Sequence, residues 1–94
     1  MNPPPNAVRK LDGNVSNWIM PANKDSFKFT KKEIHLSPDS IFTFTGENKC
    51  ILTRKGNTFA VKHEGDMFRD GIATFKRPEE AISFIAELND VSPF

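Results

Sequence analysis

A chain of 94 residues, 37% hydrophobic and 27% charged, has the size and composition of one soluble globular domain, not two. Its net charge of +1 and pI of about 7.9 are low for a nucleic-acid-binding domain, which usually exceeds ~9. No apolar run approaches the ~20 residues that cross a bilayer, so no membrane-spanning helix is expected.

Residues 1–13 read as a flexible, proline-rich arm. "MNPPPN" holds three consecutive prolines, which lack amide donors and favour an extended polyproline conformation. No basic segment leads into an apolar one, so no signal peptide is expected. One cysteine cannot form an internal disulfide, and a reducing interior, the cytoplasm, is the expected location.

The remaining residues, 14–94, read as a single domain. "VSNWIM" (15–20) is a β-prone stretch, with Val15, Asn17 and Ile19 on one face and Ser16, Trp18 and Met20 on the other. "SFKFT" places Phe27 and Phe29 opposite Ser26, Lys28 and Thr30, a period of two that predicts a half-buried strand. Ile34 and Leu36 fall on the opposite phase, which a bulge or turn at Lys31-Lys32 would accommodate. "SPDS" is a turn, and "IFTFT" a strand with Phe42 and Phe44 on one face. "CILTR" and "TFAVK" flank "KGN", a hairpin signal, with Phe59 and Val61 facing inward. "HEGDMFRDG" (63–71) reads as a polar loop and "IATF" as a last strand. "KRPEEAISFIAELND" is a helix: Pro78 suits its first position, Glu79 and Glu80 suit its dipole, and Ala81, Ile82, Phe84, Ile85 and Leu88 form its apolar face. The expected fold is therefore α+β, an antiparallel sheet of five or six short strands with one C-terminal helix packed on a face.

Charge is unevenly spread. Residues 1–62 hold ten basic and five acidic side chains, and residues 63–94 hold three basic and seven acidic. Halves of +5 and −4 could orient a partner, but the expected arrangement is internal, a basic sheet facing an acidic helix.

Little in the chain points to catalysis. Cys50 has His35 and His63 as possible partners, but no nucleophile elbow or third orienting group accompanies them. The same three residues lack the CxxC or HxxxH spacing of a zinc site, and Glu64, Asp66 and Asp70 do not follow a calcium-loop pattern. There is no Walker loop or GxGxxG. The reading is a protein without enzymatic activity, cofactor or metal.

Two kinds of surface remain. Trp18, Met20, Met67 and Phe68 are candidate partner-binding anchors, because aromatic and apolar groups dominate interface energies. Lys28, Lys31, Lys32, Arg54, Lys55 and Lys62 are candidate phosphate-binding residues, if the first strands bring them beside the hairpin. "KGNTFAVK" matches part of the RNA-binding pattern K/R-G-F/Y-G/A-F-V-x-F/Y, but puts Asn57 and Lys62 where outer aromatics belong. The expected function is stoichiometric protein–protein binding, as by a regulator or inhibitor of a larger protein. The alternative is a weak nucleic-acid-binding module using a Lys/Arg-rich sheet face.

Two short likenesses accompany these patterns. "NWIMPAN" resembles, over seven residues, the opening strand of EVE-type modified-base-binding domains, which are longer chains. The stretch from "TRKGNTFAVK" to "ATFKRPEEAISFIAEL" resembles small uncharacterised bacterial hairpin–strand–helix domains. That likeness carries no site motif and implies no activity.

Overall fold

The computed structural model describes residues 2–64 and 71–94. Strands β1 (Val8–Asp12) and β2 (Val15–Pro21) form an antiparallel hairpin, turned where Gly13 adopts φ +65°. The sheet thus begins inside the segment read as an arm. Helix α1 (Lys24–Glu33) follows, then β3 (Ile41–Thr45), β4 (Lys49–Lys55), β5 (Thr58–Glu64), β6 (Gly71–Phe75) and helix α2 (Pro78–Leu88). The fold is α+β, and the described strands form one six-stranded sheet in sequence order, β1-β2-β3-β4-β5-β6.

Every neighbouring pair is antiparallel except β2 and β3, which run parallel. Parallel neighbours cannot be joined by a tight turn. The crossover is supplied by α1, which corrects the reading of "SFKFT" as a strand and adds a second helix to the expected one. The Asn23 side chain accepts a hydrogen bond from Ser26 N at 2.9 Å, capping the helix, and Asp25 lies in its first turn. Helical spacing then gathers Ser26, Phe27, Thr30 and Ile34 on one buried stripe, with Phe29 at its flank. The phase change at Lys31-Lys32 is the period of a helix, not a bulge.

Both helices pack on the same face of the sheet. In register across the strands, that face carries Trp18, Phe42, Leu52 and Val61 in one row, and Met20, Phe44 and Cys50 in the next. All are buried. Phe27 of α1 meets Phe44 with ring centroids 5.3 Å apart, and Phe29 meets Trp18 edge-on at 4.9 Å. On the other side Phe84 of α2 packs against Phe75 at 5.3 Å. Phe27, Phe42 and Phe44 are completely buried. Each such side chain contributes about 1.5–3 kcal/mol. The phenylalanine-rich composition is thus spent largely on the layer between sheet and helices.

The end of α2 is tied to the sheet by a polar clasp. Asn89 Oδ1 accepts from Asn48 N at 2.9 Å, Asn89 Nδ2 donates to Ile85 O at 2.9 Å, and Asn48 Nδ2 donates to Leu88 O. A Cβ on Gly46 would collide with the Asn89 side chain, so the clasp needs glycine there.

Candidate functional site

Period-two alternation sends every second side chain of the sheet away from the helices. The uncovered face has a row of Val8, Ile19, Thr43, Ile51, Lys62 and Ile72, directly opposite one another across six strands. A second row runs Lys10, Asn17, Ile41, Thr53, Ala60 and Thr74. Ile19, Ile41 and Ile51 are half-buried, whereas Val8 and Ile72, at the two ends of the first row, are 50% and 72% exposed. Lys10, Lys49, Lys55 and Lys62 share this face with Asp12 and Glu64. Lys62 and Glu64 approach to 4.0 Å, an exposed pair of little energetic weight. Among the described residues this face carries no aromatic ring.

The outer surface of the helix layer is divided by sign. On α1 and just beyond it, Lys24, Lys28, Lys31 and His35 recur at helical spacing, with Lys32 beside them. With Asp25 they surround a hollow of 590 Å³ that Phe94 also lines. Lys31 Nζ sits 4.9 Å from the Phe94 ring centroid, a cation–π contact. On α2, Glu79, Glu80, Ser83, Phe84 and Glu87, together with Phe75, line a hollow of 390 Å³. No ion pair links the two helices among the described residues. The expectation of a basic sheet facing an acidic helix is therefore corrected: a basic helix lies beside an acidic one.

The six candidate phosphate-binding residues do not converge. Lys28, Lys31 and Lys32 share the outer surface of α1, where Lys24 and His35 join them. Arg54 lies on the covered face of the sheet. Its Nη1 donates to Ile34 O at 2.8 Å and its Nε to Gly56 O at 2.9 Å, so its guanidinium holds the end of α1. Lys55 and Lys62 point to the opposite, uncovered face. Separation follows because Lys28, Lys31 and Lys32 lie on a helix over one face of the sheet, whereas strand parity turns Lys55 and Lys62 to the other.

The partner-binding anchors also change. Trp18 and Met20 are 7% and 1% exposed, because their strand parity points them beneath α1. They are core residues and cannot anchor a partner. Met67 and Phe68 lie outside the described residues. Sequence reasoning missed the isoleucine rows, although Ile19, Ile41 and Ile51 stand opposite Trp18, Phe42 and Leu52 in phase along their strands.

Cys50 is buried on the covered face, where Sγ donates to Asn48 O at 3.4 Å and Asn89 Nδ2 lies 3.8 Å away. Burial pushes its thiol pKa up, and the Asn89 contact opposes this more weakly. A thiol held neutral is a poor nucleophile. His63 stands opposite it across the β4–β5 ladder, with its ring edge-on to Phe84 at 5.5 Å. No group of three or more metal-ligating side chains gathers among the described residues, and no described helix is long and apolar enough to cross a membrane.

No family model, curated protein or solved structure matches the chain.

Proposed function

We propose that the protein acts by occupancy, as a stoichiometric binding protein that docks another protein on the uncovered face of its sheet. The observation that carries this reading is the pair of isoleucine-containing rows, the first of which ends in the exposed Val8 and Ile72. An apolar patch with a charged surround is the anatomy of a protein contact. Lys49 and Lys55 flank the rows, Lys10 ends the second and Lys62 lies within the first, between Ile51 and Ile72, so the partner it fits is a flat aliphatic surface that also carries acidic groups. A regulator or inhibitor of a larger protein is the corresponding role, in a reducing compartment such as the cytoplasm. Burial of Cys50 is consistent with a chain that carries no thiol chemistry.

A second reading is weak nucleic-acid binding. The sheet face offers no ring for a base to stack on among the described residues, so the grip would be the lysine stripe of α1, acting on phosphates.

Affinity capture from nuclease-treated native lysate separates the two. The wild-type chain and a Lys28→Glu/Lys31→Glu variant should retain the same stoichiometric protein. An Ile51→Glu/Ile72→Glu variant should lose it while keeping its fold by circular dichroism. Retention by the isoleucine variant would sink the first reading. Retention on oligonucleotides that falls with salt and vanishes in the lysine variant would establish the second.

A further inference from the structure

We infer that two copies of this chain associate through their helix layers, α1 of each lying against α2 of the other. Among the described residues, the charged stripes of the two helices have no salt-bridge partners. Lys24, Lys28 and Lys31 are spaced as near neighbours on one helix stripe, with Lys32 at its side, where like charges repel. On α2 the acids Glu79, Glu80 and Glu87 line one hollow, separated along the helix by Ser83 and Phe84. Asp25 offsets part of the basic stripe; a surface of opposite sign complements each set, and the molecule carries both, side by side in one layer.

That pairing makes the layer complementary to itself. A two-fold axis running along the helices, between two stacked helix layers, places α1 opposite α2 and α2 opposite α1 in a single operation. Aromatic rings line both hollows, the exposed Phe94 among the lysines and Phe75 with Phe84 among the carboxylates. Apolar centres ringed by matched charge are what an interface core requires. A nucleic acid fits less well. From Lys24 to Lys32 the stripe spans only about 12 Å of helix, and a polyanion continuing sideways from it meets the carboxylates of α2. A helix-to-helix dimer also turns both uncovered sheet faces outward. If those faces bind protein as proposed above, the assembly is bivalent.

Sedimentation equilibrium of the purified chain tests the contact without any partner, so its failure is distinct from failure of the sheet-face reading. The wild type should pass from monomer to dimer between roughly 1 µM and 1 mM, the range of weak association. The dimer should dissociate as salt rises from about 0.01 M to 1 M, which shortens the screening length from about 30 Å to 3 Å. Lys28→Glu/Lys31→Glu and Glu80→Lys/Glu87→Lys should each be monomeric throughout, with helix content unchanged. Mixed in equal amounts, the two variants should form a heterodimer, because one then presents a predominantly acidic helix layer and the other a predominantly basic one. The chain carrying all four substitutions should dimerise again. A wild type that stays monomeric, a dimer that survives either double reversal, or a mixture that does not associate overturns the inference. So does a monomer whose α1 lysines are needed instead for oligonucleotide binding.

Discussion

Cys50, Asn48, Asn89 and Gly46 meet where the end of α2 reaches the β3–β4 connection, and each constrains the others. The Asn89 amide serves Asn48 N and Ile85 O and lies beside the thiol, so a buried polar side chain finds its partners within one joint. Nothing in the local pattern "TGENKC" marks this joint, because its partner lies 41 residues away in "LND". A testable consequence concerns pH. The folded-state pKa of Cys50 lies above that of the unfolded chain, so the neutral thiol is favoured by folding. That contribution is fully present below the ordinary thiol range and is lost as pH rises through the folded-state value. At neutral pH, Cys50→Ala should cost about 0.5–3 kcal/mol in urea unfolding, through lost packing. The wild-type advantage should then narrow as pH climbs past the ordinary thiol range. A gap that stays constant at alkaline pH would mean that burial does not hold this thiol neutral.

Strands β3, β4 and β5 were legible because their alternation agrees with their environment: Phe42 and Phe44, Leu52, and Phe59 and Val61 all face the helices. Helix α2 was legible for the same reason, with Pro78 opening it and Ala81, Ile82 and Ile85 on its buried side. Helix α1 was not. Its inner stripe includes Ser26 and Thr30, whose polarity masks the helical period, while Phe27 and Phe29 bracket a lysine and imitate a strand. Thr30 Oγ1 donates back to Ser26 O at 2.8 Å, which lets a hydroxyl sit against the sheet without an unmet donor. Strand β1 was hidden differently, since all five of its residues are exposed and no apolar alternation marks them. Of the basic site, Lys28, Lys31 and Lys32 were legible as a cluster, but Lys24 and His35 join them only once the segment is helical. The signal that could have found α1 is Asn23 followed by Asp25, a cap ahead of the first turn. Asn23→Ala should therefore lower stability by about 0.5–2 kcal/mol in denaturant titration, with Asn23→Ser close to wild type. Equal stability of all three chains would remove the cap, and with it the account of why this segment leaves strand geometry.

At the scale of the molecule, the sheet divides its residues by chemistry. Aromatic rings lie under the helices, and β-branched and lysine side chains lie on the free face. This division decides how a nucleic acid could be held, because stacking needs rings in solvent and phosphate contacts do not. The one tryptophan reports on it directly. Trp18 is 7% exposed, edge-on to Phe29, with the Arg9 guanidinium carbon 5.6 Å from its ring centroid. Its emission should be blue-shifted relative to the unfolded chain and resistant to acrylamide, and saturating oligonucleotide should leave it almost unchanged even if α1 binds phosphate. The Trp18→Phe chain should keep whatever protein-capture activity the wild type has, because a ring beneath α1 touches no partner. Emission that is red-shifted and easily quenched, or loss of capture in a folded Trp18→Phe chain, would place the ring at a surface. The helix layer would then not cover this half of the sheet, and the free face would no longer be the candidate for docking.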